Sequence, residues 1–415
     1  MNVHVLGGGP AQLNLIRRLQ ELGHQVAVSD INPRSPGLEL ADFASAASSF
    51  DAVAVERDAR VFGSQALVTL GTDQPVLTAA LVSEKMGLPY FLSPRQAALV
   101  TNKRDMKQMF VKEGIPTVPF RLLEAGFQDS ELEGLTFPLI IKPLDSQGQR
   151  GVLKVHSTDE IRDHFDELLS FSREQQILAE EYYPSDEITI SGWVYRGTLH
   201  IFSITDRVTV ENDPYMGVCV SHRYPSLFHQ SRDELEELSR TICGAVGLQE
   251  GAVYFQILGG KKGFLINEIA CRLGGAYEDE FLPGLCGADP LQLLIEQTTL
   301  PGYNWNHPEE MPSVRDGRYL SLQMFFCRPG IISRQRGMDQ VLRISGAGRG
   351  RFLLPEGTCI RNRENSTQRA GYFYLQGCSP AELNSKIDQA YSFLEILDEQ
   401  GRQMIEFDQR MYFPS

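Results

Sequence analysis

Short apolar runs alternate with amphipathic stretches over the first hundred or so residues. Val3–Leu6 is short and apolar, as a buried strand is; Gly7-Gly8-Gly9 turns the chain, and Pro10–Leu22 has helical spacing closed by Gly23. Val26–Ser29 reads as a second strand ending at Asp30. Ala52–Val55 and Ala66–Leu70 read as further buried strands, and Pro75–Met86 as a helix ending at Gly87. This rhythm predicts a parallel sheet with helices on its faces.

A helix over Asn102–Glu113 ends at Gly114 and runs into Ile115-Pro116-Thr117-Val118-Pro119, a hinge into a different pattern. From Phe137 to about Leu300 strands dominate, with helices near Asp159–Phe171, Arg232–Val246 and Pro290–Thr299. Pro301–Asp316 is proline-rich and reads as a connector. Mostly strands follow, then a helix near Pro380–Leu397. There is no internal repeat.

With 415 residues the chain is long enough for two or three domains. A net charge of −14 argues against nucleic acid, whose phosphates reward clustered Lys and Arg, so any site for an anion must gather its own positive charge. The seven cysteines (Cys219, Cys243, Cys271, Cys286, Cys327, Cys359, Cys378) are odd in number and form no CxxC pair, and no HExxH occurs. The first residues lack a basic stretch followed by a long apolar one, and no run approaches a membrane span. A cytoplasmic protein is the expectation.

Four motifs carry chemistry. Gly7-x-Gly9 between strand and helix, with Asp30 ending the next strand, has the outline of a dinucleotide site, but Gln12 stands where the third glycine belongs, which favours a plain tight turn. Phe137–Pro143 is an apolar strand that delivers Lys142 at its end. Asp145-Ser146-Gln147-Gly148-Gln149-Arg150-Gly151 follows, a loop whose backbone N–H groups can wrap phosphates while Arg150 adds charge. Ile177–Tyr183 turns from strand into a linker able to meet an adenine edge, with Glu187 beyond it for ribose hydroxyls; the bland alternative is two solvated glutamates, Glu180 and Glu181. Gly251–Ile257 and Gly263–Ile269, joined by a glycine-rich turn, read as a hairpin with Gln256 opposite Glu268 on one face. Arg272 and Gly274-Gly275 follow, and the structural alternative there is a Glu268–Arg272 ion pair.

In this order the pieces resemble the ATP-grasp superfamily, and within it the carboxylate–amine ligases that include bacterial L-amino-acid ligases, with similarity also to biotin carboxylase and carbamoyl-phosphate synthetase domains. The resemblance covers the whole chain. It implies a mixed α/β and α+β architecture: a parallel-sheet βα domain over 1–100, an ATP-grasp core over 101–300 with a hinged lid near 118–185, and a mostly β domain over 315–415. It implies that Lys103, in Thr101–Lys107, and Lys142 reach nucleotide phosphates, and that Ser146–Gly151, including Gly148, covers them. Glu180, Glu181 and Tyr182 fall where the family holds adenine, and Glu187 where it holds ribose.

Glu268 and Arg272 match the E-x-N-x-R signature, which implies a metal ligand and an acyl-phosphate contact as the catalytic pair. The sequence departs from the family at Gln256, usually a glutamate metal ligand, and at Ala270, usually asparagine. Implied cofactors are ATP with Mg2+ or Mn2+. Implied partners are a small carboxylate and an amine, with no nucleic acid and no membrane, and a homodimer is compatible with the family. Competing readings are a bicarbonate-phosphorylating enzyme, a nucleotide-binding pseudoenzyme and, last, a nicotinamide oxidoreductase built on Gly7–Asp30.

Overall fold

The computed structural model describes residues 1–212, 215–300, 302, 317–361, 366–406 and 410–414, apart from the side chains at 211, 212, 215 and 367. All of the expected connector Pro301–Asp316 except Gly302 lies outside the described residues.

The chain begins with β1 (Asn2–Leu6), α1 (Leu13–Glu21), β2 (Gln25–Ser29), α2 (Pro36–Leu40), β3 (Phe43–Ser45), α3 (Ala52–Phe62), β4 (Ala66–Val68) and α4 (Gln74–Met86). The four strands form one parallel sheet in the order β3-β2-β1-β4. α1 buries Leu15, Ile16 and Leu19 against it, the i, i+1, i+4 stripe of an amphipathic helix. One expected strand is wrong: Ala52–Val55 opens α3. Asp51 Oδ1 accepts from the backbone N–H groups of Val53 and Ala54, both at 3.0 Å, and this cap commits the segment to a helix, leaving Val53 exposed. The third strand of the sheet is instead β3, too short to show a period.

α5 (Pro94–Thr101) and α6 (Lys103–Lys112) follow, then β5 (Phe120–Glu124), β6 (Leu139–Pro143), β7 (Leu153–Val155), α7 (Thr158–Ser170) and β8 (Gln176–Glu181). The four strands lie in the antiparallel order β7-β6-β8-β5, with Ile161, Phe165 and Leu168 of α7 packed on them. β9 (Ser185–Tyr195), β10 (Thr198–Asn212), β11 (Tyr215–Tyr224), α8 (Arg232–Val246), β12 (Glu250–Gly260), β13 (Gly263–Ala270), α9 (Glu278–Cys286) and α10 (Pro290–Thr299) complete the centre, the strands ordered β13-β12-β9-β10-β11. β11 pairs at Tyr215 with Leu153 of β7 and, farther along, with β14 (Tyr319–Phe325). The strand Gly371–Gly377 pairs with β14, and Ala347–Phe352 pairs with it in turn, so one sheet runs from β13 into the C-terminal region. The last expected helix ends early, at Phe393. Glu395–Leu397 is a strand paired with Arg334–Arg336, which draws the chain out of the helix.

Candidate active site

A cleft of about 510 Å³ lies where these layers meet, lined from the β1–α1 and β4–α4 turns, β6, the loop after it, the β8–β9 linker, β10–β13 and the segment around Arg369. Two basic side chains reach it from separate elements. Asn102 caps α6, its Oδ1 accepting from Arg104 N at 3.0 Å, which sets Lys103 at the first helical position. Lys103 Nζ donates to Ser146 O at 2.7 Å, and burial lowers its pKa against the pull of Glu268. Lys142, at the end of β6, donates to Asn267 Oδ1 at 3.2 Å and pairs with Glu180.

Glu180 is also 3.0 Å from Lys107, one turn along α6 from Lys103, and Glu180, Lys107 and Lys142 are all buried. Burial opposes the Glu180 charge, but the two ammonium groups outweigh it and hold the carboxyl down at about 2. Glu180 is therefore not the solvated strand end that its sequence allowed. Glu181 Oε1 accepts from Thr136 N at 2.9 Å, Lys154 Nζ lies 3.9 Å from the Tyr182 ring centre, and Glu187 pairs with Arg207 at 2.5 Å.

The loop after β6 is held in a tight form. Gly148 (φ +69°), Gln149 (φ +60°) and Gly151 (φ +73°) take left-handed conformations, costly at the glutamine. Gln147 Oε1 accepts from Asp73 N at 2.6 Å, and Ser366 N and Oγ donate to Gly148 O at 3.2 and 3.0 Å. Ser146 Oγ is buried with no hydrogen-bond partner among the described residues, and Arg150 lines the cleft beside the loop.

On the opposite wall Gln256 pairs with Glu268 in the β12–β13 ladder, but the next pair is Ile257 with Ile266. Asn267 is thus the extra residue of a bulge, which lets two successive side chains, Asn267 and Glu268, line the cleft. Among the described residues neither the Gln256 amide nor the Glu268 carboxylate makes a side-chain hydrogen bond or an ion pair within 4.0 Å. Two facing oxygen donors of this kind suit a hard divalent cation that takes its other ligands from phosphate and water. No cluster of three His, Cys, Asp or Glu suited to a metal occurs among the described residues. Arg272 does not pair with Glu268: its Nε donates to Asp73 Oδ1 at 2.7 Å.

The nucleotide-like outline at Gly7–Asp30 is spent on structure. Asp30 Oδ2 accepts from Gly8 N and Ser35 Oγ, both at 2.9 Å, Gly37 packs against Gly8, and Gln12 Nε2 donates to Leu70 O. The paired strands β10 and β11 and the segment between β13 and α9 also reach the cleft, through Arg207, Cys219, Gly275, Ala276 and Tyr277. Sequence reasoning missed Lys107, Asp73, Arg207 and Arg369. Lys107 was findable, since it sits four residues after Lys103 and shares its helix face.

A family model described as an ATP-grasp domain matches residues 135–279. A D-alanine–D-alanine ligase from Gloeobacter violaceus is 36% identical over 111 residues, 26% of this chain and 36% of that protein. An N5-carboxyaminoimidazole ribonucleotide synthase from Synechococcus elongatus is 27% identical over 188 residues, 45% of this chain and 46% of that one. The chain thus spans about a third to a half of the length of such curated relatives. Among solved structures an L-amino acid ligase from Bacillus licheniformis superposes with a TM-score of 0.80 at 18% identity, covering 96% of this chain and 98% of that one. No helix among the described residues is long and apolar enough to cross a membrane.

Proposed function

We propose that this chain, which carries an ATP-grasp domain, is an ADP-forming ligase that converts a small carboxylate to an acyl phosphate and transfers the acyl group to an amine. One observation carries the reading: Lys103, Lys142, the Gln256–Glu268 pair and Arg272 come from different elements and line a single cleft.

In this reading Glu180, Glu181 and Tyr182 flank adenine and Glu187 takes the ribose hydroxyls. Lys103, Lys142 and Arg150 offset phosphate charge, and N–H groups of the Ser146–Gly151 loop cover the γ-phosphate. Glu268 and Gln256 would hold magnesium, which would supply charge neutralisation for the nucleotide phosphates. A carboxylate oxygen attacks the γ-phosphorus in line and ADP leaves. Arg272 holds the acyl phosphate through paired N–H donors. The amine then attacks the carbonyl carbon, loses a proton, and inorganic phosphate departs with the former carboxylate oxygen. Residues 118–185 act as the lid that excludes water from the mixed anhydride.

The test is ADP release in a matrix of amino acids and other small carboxylates, with and without bicarbonate. ADP release that requires both an acid and an amine, with the amide identified by mass, is the expected result. Release with bicarbonate and no amine would replace this reading by the carboxylase-like one.

A further inference from the structure

A second cavity, of about 190 Å³, lies beside the cleft between β4, the Pro89–Phe91 segment, the start of β12 and α10. Its lining and that of the cleft have one residue in common, Arg272. The floor is apolar, with Leu67, Val68, Val76 and Leu294 each no more than 3% exposed. The rim is half-buried and carries the polar groups: Glu250 and Gln297 stand there with Tyr90 and Phe91.

Two acceptors at this rim are unanswered. Glu250 Oε2 and Gln297 Oε1 are buried atoms with no hydrogen-bond partner among the described residues. Burial raises the Glu250 carboxyl, with the Arg196 backbone N–H and charge opposing the shift, so a further cation beside it would be stabilising. The rings of Tyr90 and Phe91 have centres 4.9 Å apart, and a Cβ on Gly251 would strike the Phe91 ring, which therefore rests on bare backbone next to Glu250. A cation gains from a carboxylate, an amide oxygen and aromatic faces together. An anion gains from none of them, and Arg272, the one basic group in the lining, is already paired with Asp73. A cavity of about 150 Å³ takes benzene, so this one takes a single ring or a branched chain with a short polar arm.

Arg272 gives the cavity a path to the cleft. A side chain beside a void lacks partner atoms on that side. A ligand in the cavity supplies them and holds Arg272 in the position that its 2.7 Å bond to Asp73 defines.

We propose that this cavity is a regulatory site for a small monocation built on one ring or branched chain, held by Glu250 and Gln297 and acting on the cleft through Arg272. Binding of the cation is independent of the ligase reading; its effect rests on that reading, which gives Arg272 the acyl phosphate.

The probe is benzamidine, whose amidinium offers N–H donors to both acceptors and is too poor a nucleophile to enter as the accepting amine. Calorimetry against protein loaded with ADP and magnesium should show it binding about tenfold more tightly than benzyl alcohol, with no binding of benzoate. Glu250→Gln and Gln297→Met, both at the half-buried rim, should each weaken benzamidine by about tenfold or more and leave the melting temperature unchanged. Inorganic phosphate is then titrated with and without saturating benzamidine. Its affinity should rise about fivefold or more when benzamidine is bound, and Glu250→Gln should remove the gain. Benzamidine binding that is absent, or that neither variant alters, would overturn the site. Phosphate affinity that is unchanged, lowered or undetectable in both states would overturn the regulatory role. Neither titration requires turnover, so these failures stand apart from a failure to release ADP, which refutes the ligase reading.

Discussion

Arg272 Nε donates to Asp73 Oδ1 at 2.7 Å, joining the segment just after β13, the strand that carries Glu268, to the N-cap of α4 beside the parallel sheet. The two residues are far apart in sequence and both line the cleft. Burial works against the Arg272 charge, but Asp73 more than compensates and keeps the guanidinium firmly protonated. Asp73 thereby orients the group to which the acyl phosphate is assigned. Asp73→Asn should lower kcat by about 10–100-fold, the scale for losing a partner that orients a ligand-binding group, while KM for ATP stays close to wild type. A parallel loss of ATP affinity, read by calorimetry, would make Asp73 a nucleotide contact instead.

Lys107, Lys142 and Glu180 form a buried two-to-one charge cluster. Glu180→Gln would leave two ammonium groups without a counter-charge, and urea unfolding should show a loss of about 3–5 kcal/mol. The added change Lys107→Met should recover part of it, because the two groups are coupled. Since Glu180 is held at about 2, below its ordinary 4.5, its contribution is present above the ordinary value and is lost as pH falls through about 2. An undiminished stability in Glu180→Gln would mean that the lysines discharge and that the cluster adds nothing.

Asp279 behaves in the opposite sense. Burial raises its carboxyl to about 7, with Glu280 and Glu278 adding to the shift and Asn14, whose Nδ2 donates to Oδ2 at 2.8 Å, opposing it. Its folded value lies above the unfolded one, so stability is fully present below about 3.8 and is lost as pH rises through about 7. Asp279→Asn keeps an oxygen for Asn14 and cannot ionise. Relative to wild type it should gain a Tm advantage that grows as pH rises from 5 to 8, at roughly 1 °C per kcal/mol in a chain of this size. A Tm difference independent of pH would place the titration elsewhere.

How much of this was legible beforehand depends on how local the cause is. The β12–β13 hairpin was readable because alternation and a glycine turn set its register, which put Gln256 opposite Glu268. The bulge at Asn267 was not readable, since one extra residue leaves the apolar pattern on both sides intact. Ala52–Val55 misled because four apolar residues suit a strand or the start of a helix, and the deciding cap is Asp51. Lys142 stood out at the end of an apolar strand, whereas Lys103 was marked only by the family resemblance, its cap by Asn102 becoming visible in the structure. Asp73 and Arg369 carry no local signal, because each matters through a residue two hundred or about a hundred and fifty positions away.

The metal assignment gives Glu268 the only charged oxygen in its pair. Glu268→Gln should reduce ADP release by on the order of a hundredfold or more, as when one preorganised charge is removed. Gln256→Ala should lose less, and Gln256→Glu should hold or raise activity at low magnesium because it adds charge to the same position. Near wild-type turnover in Glu268→Gln would move the metal away from this hairpin.

The central claim is a phosphorylated carboxylate, and isotope transfer reads it directly. The acid that supports ADP release is prepared with oxygen-18 in its carboxyl group and turned over with the accepting amine, and the released products are analysed by mass spectrometry. One labelled oxygen in inorganic phosphate, with ADP as the other product and none in the nucleotide, is the expected result, since the attacking carboxylate oxygen leaves with the phosphate. Label recovered in AMP would show attack at the α-phosphorus and contradict the account.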